Sequence, residues 1–531
     1  MNKLYVFAIG GSGERVMRSF ILTLASGVKI DAQSVVPVFV DNDEKSKALT
    51  TCLDLIKYYN SKPEKSQKMG INTSHQKISA TPTDWPSFCR TIVEDPIILN
   101  TAGDSVGTLS KVIGNIDVDS PVYKAIKDER ELLFTDDDLS MPLSVGFVGN
   151  PNIGSVVLNA LSLGSADFKA IQDTTSPTDG VIIVGSLFGG TGAAGIPLIV
   201  NSFNKLDPAR KPILGAIAML PYFSTTDTGK LSPINRGKWD VKPDSFETKT
   251  RAALMYYDDY MRALDVMYYI GDGDKKDSYP HCVGGIEQDN PAHLTELMGA
   301  MSIMDFAKLT GHNNSIVYKE PVWGINDDNK VETIPTNFSG ITNSEIRKAL
   351  VKFRMMKQMF TDPAFLQWAI QENKDYVLNI GYKDQDRTQV VDERLISDNT
   401  WGLNNMLRQW EKWMQELMRD NANRKFALYN NTTPANDDNL THNFYANTED
   451  GIKSGIAKVE KKRKNIFKGT TVSIPVNAQI GEAMQQAYKK LYPKGKKEDA
   501  NTIPEEQRLP ILLRIISLAL DEVIEKRCVD M

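Results

Sequence analysis

An uncharged stretch from Val181 to Val200 reads Val-Ile-Ile-Val-Gly-Ser-Leu-Phe-Gly-Gly-Thr-Gly-Ala-Ala-Gly-Ile-Pro-Leu-Ile-Val. A β-branched run stops at Gly185, glycines and one hydroxyl crowd Gly189 to Gly195, and an apolar stretch resumes at Ile196. That order predicts a buried strand, a glycine-rich turn and a helix. Glycines are needed where backbone N–H groups must turn inward around an anion, because side chains resist those φ values and block close approach. The following helix adds unpaired N–H groups and the positive end of its dipole, so a phosphate can be held without a basic side chain. Two blander readings compete. The stretch is long enough to span a bilayer, and Gly185 and Gly189 form a GxxxG pattern. Five glycines and Pro197 argue against one continuous membrane helix. A purely structural glycine turn is the second alternative, and other segments must decide against it.

The chain has 531 residues, too many for one core, and the usual domain size gives roughly two to four units. Hydrophobic residues make up 41% and charged residues 24%, the range of an ordinary globular chain. A net charge of -5 gives no general attraction to polyanions, so nucleic acid is not expected as a partner. Cys52, Cys89, Cys282 and Cys528 include no close pair, and the five histidines are scattered, so no metal cluster is expected. The cysteine usage fits a reducing cytoplasm. Met1 to Ala8 meets Glu14 and Arg15 before a signal-peptide core could reach length, and no membrane anchor is expected.

The strand–glycine–helix order recurs. Leu4 to Ile9 reads as a buried parallel strand, Gly10-Gly11-Ser12-Gly13 as a turn, and Glu14 to Leu22 as a helix. A second strand, Val35 to Val40, ends in Asp41-Asn42-Asp43-Glu44. An acidic strand end after a glycine-rich first turn is what binds a ribose or a phosphate-bound metal in doubly wound sheets. Leu49 to Asp138 is polar and irregular, and reads as an insertion of helices and loops. Leu143 to Val148 reads as a strand, followed by Gly149-Asn150-Pro151-Asn152-Ile153-Gly154 and a helix through Leu163. Further strands are expected at Ile213 to Leu220 and Val266 to Ile270. A helix opens at Ser245-Phe246-Glu247, and a long one runs from Asn290-Pro291 to Leu309, with Asn290 as its cap. As a dinucleotide fingerprint, Gly11 to Val16 is poor: Val16 replaces the third small residue and Asp41 lies too far downstream. A Walker-type G-x-x-x-x-G-K-[ST] is absent.

In this order the segments resemble the tubulin and FtsZ superfamily of GTPases, and the divergent bacterial tubulin-like proteins more than cell-division FtsZ. Phe188-Gly189-Gly190-Thr191-Gly192-Ala193-Ala194 corresponds to that family's GGGTG[ST]G loop, with Phe188, Ala193 and Ala194 as departures. Gly10, Gly11, Ser12, Gly13 and Glu14 look like the first nucleotide loop and Asp41, Asn42 and Asp43 like the second. Gly149, Asn150, Pro151 and Asn152 resemble the GANPEIG loop facing the γ-phosphate. Glu247 would meet the ribose, Arg251 the guanine, and Asn290 would sit near the base. The resemblance implies an α/β fold, a Rossmann-like mostly parallel sheet of the tubulin/FtsZ GTPase type, over residues 1–312 with an insertion at about 50–140. It also implies GTP or GDP as ligand, Mg²⁺ at the phosphates, and self-association into filaments or oligomers.

The catalytic step is where the match fails. The family completes hydrolysis with an acidic loop, N-x-D-x-x-[DE], from the next subunit, and the nearest segment here, Gly324-Ile325-Asn326-Asp327-Asp328-Asn329, has the wrong spacing. We read it as a hairpin turn between Val322 and Val331, so catalytic residues stay unassigned. Asn343 to Tyr382 and Asn404 to Tyr429 read as helices, giving residues 313–531 a mainly helical domain and a possible site for a protein partner. Trp368, Trp410 and Trp413 are expected in its core. The basic runs at Lys458 to Lys468 and Lys489 to Lys497 read as solvated faces, and Pro510 to Val523 as an apolar docked helix. An alternative to the filament-forming GTPase is a non-polymerising GTP-sensing module that binds a partner through its C-terminal half.

Overall fold

A computed structural model of the chain describes most of residues 1–60, 91–99, 107–113, 129–226 and 246–320, and beyond these 324–326, 331–333, 381–383, 389–391, 401–417, 461–464, 471–474 and parts of 345–356 and 483–525. The chain begins β1 (Lys3–Ile9), α1 (Gly10–Ala25), β2 (Ser34–Val40) and α2 (Lys47–Tyr59), then two short strands, β3 (Ile92–Val93) and β4 (Ile97–Ile98). Short helices follow: α3 (Leu109–Ile113), α4 (Asp136–Ser140), α5 (Pro151–Val157) and α6 (Ala166–Thr174). The order then regularises as β5 (Gly180–Ser186), α7 (Gly190–Asn204), β6 (Ile213–Met219), β7 (Ser224–Thr226), α8 (Phe246–Tyr260), β8 (Val266–Ile270), β9 (Ser278–Pro280), α9 (Leu294–Phe306) and β10 (Val317–Lys319). Beyond lie two hairpins, β11 (Gly324–Asn326) with β12 (Val331–Thr333) and β13 (Gly381–Lys383) with β14 (Gln389–Val391), then α10 (Trp401–Leu417) and a third hairpin, β15 (Lys461–Lys464) with β16 (Thr471–Ile474).

The main sheet has eight strands in the order β10-β8-β6-β5-β1-β2-β3, with β4 also on β2, and every pairing in it is parallel. This is a parallel α/β fold. Parallel strands need both faces covered, which is why β2, β5 and β6 are buried at every position and read as continuous apolar runs. Alternate residues of β1 enter different cores: Leu4, Val6 and Ala8 face α1, α2, α9 and α10, while Tyr5, Phe7 and Ile9 face α5 to α8. All 13 residues of α9 are buried, so it has no polar face to lose.

The strands predicted at 4–9, 35–40, 213–220 and 266–270 stand within a residue or two, while the helices differ more: α1 begins at Gly10 instead of Glu14, and Gly381–Lys383 is a strand where the helix from Asn343 was expected to end. Three further expectations need correction. Leu143 to Val148 is not a strand: among its described residues Leu143 is in a turn and Gly146 makes an isolated bridge. The reason is local, because Gly146 and Gly149 both take left-handed φ, of 78° and 72°, which an extended strand cannot hold. The polar region after Leu49 is not all insertion, since residues 47–59 form α2 against α1 and residues 92–98 supply two strands to the sheet. The long helix starts at Leu294, not at Asn290-Pro291. His293 is its cap, accepting from Thr295 N–H, and Glu296 reaches back to the His293 N–H in a capping box.

The hairpin expected around Gly324 to Val331 is present, while Asp327 and Asp328 lie outside the described residues, as do Trp368 and the run 489–497. Trp410 and Trp413 are buried. They enter the same apolar cluster as β1, α1 and α9, so the C-terminal helix and the sheet share a core. Among the described residues, no helix is long and apolar enough to cross a membrane.

Candidate functional site

The sheet order reverses at β1: the chain crosses from it to β2 on one side, and β5 lies on the other. In open α/β sheets the crevice beyond the C-terminal ends of the strands at such a switch point is where ligands bind. Here β1 ends into Gly10 and β5 into the turn at Leu187 to Gly189. Gly10 to Gly13 and Gly190 to Ala193 are not loops, as the sequence suggested, but the first turns of α1 and α7 themselves. The glycines let those turns press onto strand backbone. A methyl group at Gly13 would lie 2.6 Å from the Val184 carbonyl oxygen, and one at Gly192 only 2.5 Å from the Ser186 nitrogen. At Gly10, with φ of 64°, a methyl group would reach 3.2 Å from the Thr191 Cβ, so the two helix heads stand in near contact. Gly11 has open space in front of it.

The third predicted loop closes against the fourth. Asn150 caps α5 by position, with Pro151 opening the helix and Asn152 in its first turn, and a methyl group at Gly190 would lie 3.0 Å from the Asn150 nitrogen and 3.2 Å from that of Gly149. Ala194, where the family pattern has glycine, packs beside Gly154 instead, and the Ala193 carbonyl accepts from Tyr257 of α8 at 2.8 Å. The second loop joins through Asn42, whose Nδ2 donates to the Leu143 carbonyl at 2.9 Å. A methyl group at Gly146 would sit 4.0 Å from Asp41 Oδ1.

The capping pattern separates these helices from the rest. Ser46, Thr135, Ser165 and His293 close the N-termini of α2, α4, α6 and α9 with their side chains. The N-termini of α1, α5 and α7 have no side-chain cap, and none carries an acid in its first turn. Their leading N–H groups are therefore left for something else to satisfy. Ser12 follows Gly11 in this uncapped turn of α1.

Beside the head of α1 lies a group of buried acids. Glu14 is fully buried, with Oε2 accepting from the Ser46 hydroxyl at 2.7 Å and Oε1 facing no hydrogen-bond donor among the described residues. Asp41 Oδ1 accepts from the N–H groups of Asn42 and Asp43, and Asp43 accepts from Lys45 and Gly285 N–H groups. Burial pushes the Asp41 carboxyl up to about 7, Asp43 adding to the rise while the Asp43 and Asn42 N–H groups oppose it. Burial, and then the Asp41 charge, also raises Glu14 well above the usual carboxylate range.

The turn after β5 carries an aromatic cluster. Phe188 packs with Phe246, Phe223 and Tyr222, ring centroids 4.9, 5.7 and 6.3 Å away. Phe246 thereby anchors the start of α8, which leaves Glu247 and Arg251 exposed on that helix. Asn290 contributes its carbonyl, not a helix cap: it accepts from Arg15 Nη1 at 2.9 Å.

Arg15 is the residue that sequence reasoning passed over. Its Nη2 donates to the Pro291 carbonyl at 2.7 Å and its Nε to Glu296 at 2.6 Å, and its guanidinium lies 5.6 Å from the centre of the Tyr279 ring. Tyr222 also donates to Glu296 Oε1. Burial by itself would lower the Arg15 pKa, and the Glu296 carboxylate more than offsets it. The signal was present in retrospect: a basic residue within the first turns of a helix that is otherwise packed all round.

No group of three or more His, Cys, Asp or Glu side chains able to hold a metal is present among the described residues.

The class that the fold defines is an α/β protein with a parallel sheet, whose glycine-rich helix starts meet at the switch point. Comparison with solved structures finds a partial likeness to CetZ from Methanosaeta thermophila strain DSM 6194, at 10% sequence identity and a TM-score of 0.25, covering 52% of this chain and 47% of that one. The match thus spans less than half of the solved chain. No protein-family model matches the sequence, and no curated protein does.

Proposed function

We propose that this chain is a nucleotide-binding protein of the tubulin/FtsZ kind, taking GTP or GDP in the crevice between α1 and α7. The observation that carries this reading is the meeting of uncapped helix N-termini at the sheet's switch point, with Gly10 and Thr191 in near contact and Gly11 open. Oriented N–H groups and helix dipoles favour a phosphate there. The cations nearest the first loop, Arg15 and Arg18, are committed to Glu296 and Glu416, so backbone N–H groups would have to carry the recognition. Guanine as the base and self-assembly rest on the motif order in the sequence. Mg²⁺ would arrive bound to the triphosphate and neutralise its charge beside Glu14, Asp41 and Asp43.

The test is direct. Nucleotide released from the purified protein and identified by mass spectrometry is expected to be guanine nucleotide, and Thr191→Arg, which fills the gap facing Gly10, is expected to abolish its retention. A protein that carries no nucleotide and gives no binding heat with Mg·GTP sinks the reading.

The second reading, a module that binds GTP without turnover or polymerisation, is favoured by the β11–β12 hairpin where a catalytic acidic loop would have to lie. Binding without phosphate release and without GTP-dependent pelleting at micromolar protein selects it.

A further inference from the structure

One stripe of α1 links the crevice to the C-terminal helix. Gly11, Arg15, Arg18 and Ser19 stand at i, i+4, i+7 and i+8, so they share a face. Gly11 has open space before it at the head of the helix. One turn on, Arg15 holds the carbonyls of Asn290 and Pro291. At the next turn Arg18 Nη1 meets Glu416 Oε2 of α10 at 2.9 Å, and Trp413 Nε1 donates to Ser19 Oγ at 3.2 Å. The same Glu416 Oε2 accepts from the Ala292 N–H at 2.8 Å, and Lys412 lies 3.6 Å from Asp289.

Residues 289–293 have no regular structure of their own before α9 begins. Carbonyls of Asn290 and Pro291 go to Arg15, with Tyr279 Oη also donating to Pro291, and the Ala292 N–H goes to Glu416, so the position of this segment is set by side chains from outside it. Glu416 is largely buried, as is Arg18, at 12% and 9% side-chain exposure. An ion pair screened from solvent in this way holds geometry far better than a surface pair.

We propose that Glu416 is a positioning residue for the crevice: by clamping Arg18 and Ala292 together it fixes the head of α1 and the 289–293 segment, so that ligand binding and docking of α10 are coupled. The proposal rests on the nucleotide reading above. Coupling of this kind is reciprocal: if docked α10 strengthens the ligand, the ligand must strengthen docking by the same factor.

The experiment uses the full chain and Mg·GTP. Calorimetric titration is run on wild type, Glu416→Ala and Glu416→Gln, and amide hydrogen exchange is read by mass spectrometry over residues 401–417 with and without Mg·GTP. In wild type, GTP is expected to slow exchange in 401–417. Glu416→Ala is expected to weaken GTP roughly five- to tenfold, within the usual range of coupling between sites. Glu416→Gln, which keeps an acceptor for Ala292 but loses the charge facing Arg18, should fall between the two. GTP should no longer slow exchange in the alanine variant even where its melting temperature is close to wild type, a result that mere destabilisation would not give. Wild type that binds GTP with no change in 401–417 exchange overturns the proposal and needs no variant to fold. Folded variants with unchanged affinity overturn it too, and both results leave the nucleotide reading standing. Absence of GTP binding by wild type overturns both.

Discussion

At the scale of single residues, the glycines of the crevice divide by what surrounds them. Gly13 is pressed against the Val184 and Ala8 backbone, so Gly13→Ala is expected to cost about 2–3 kcal/mol in urea unfolding, the usual price of overpacking against atoms that cannot move aside. Gly11 has nothing within 4 Å. Gly11→Ala should leave the fold as stable as before or raise it by up to about 1 kcal/mol, the helix-propensity gain, while weakening Mg·GTP binding because its methyl group stands where the phosphate must approach. If Gly11→Ala binds GTP as well as wild type, the ligand does not lie over α1. The buried acids give a second expectation. The Asp41 carboxyl moves from its ordinary 3.8 to about 7 in the folded chain, so between those values the folded state holds a proton that the unfolded state has released. Its contribution to stability is thus complete below about pH 4 and is lost as pH rises to about 7, at up to about 1.4 kcal/mol per pH unit. Glu14 shifts in the same direction. Ligand-free protein should melt at lower temperature at pH 7.5 than at pH 5.5, and Asp41→Asn should flatten that slope; an unchanged slope would show that the carboxyl titrates normally.

At the scale of elements, the strand–glycine–helix units were legible because parallel strands buried on both faces must be apolar throughout, and a glycine-rich helix start breaks that run abruptly. The strand expected at Leu143 to Val148 failed for a reason the residue types half disclose: Gly146 and Gly149 are chirally free, and only packing against Asp41 and Gly190 shows that both use that freedom. The start of α9 was misplaced because Asn290-Pro291 has the composition of a cap, yet its carbonyls are already taken by Arg15. That makes Arg15 a polar tie between α1 and α9, beside their apolar packing of Val16 against Gly299. Arg15→Met would strand Glu296, whose side chain is 1% exposed, and is expected to cost about 3–5 kcal/mol in urea unfolding, with Glu296→Gln in the same chain restoring a large part. Additive losses in the double variant would show that the pair is not what joins the helices.

At the scale of the whole molecule, the α10 helix and the parallel sheet have one core. Trp413 is fully buried against α1 with its indole N–H on Ser19, and Lys352 pairs with Asp521 at 2.6 Å among the C-terminal residues of that cluster. Trp413→Ala is therefore expected to cost about 3–5 kcal/mol and to lower the unfolding midpoint of the sheet, read as loss of protection in β1 and β5, not only that of α10. A separate early transition confined to α10, with the sheet unaffected, would mean that the helix is merely appended. By itself, the sequence determined a parallel α/β fold and the glycine-rich segments that follow β1 and β5, because burial on two faces and close backbone approach each leave few residue types permitted; that those glycines open the helices themselves came from the structure. The tertiary structure alone decided that those helix starts stand in near contact, that Phe188 belongs to an aromatic core, and that Arg15 and Glu416 hold residues 289–293. Those choices depend on which distant side chain reaches which backbone group, and spacing along the chain carries no record of that.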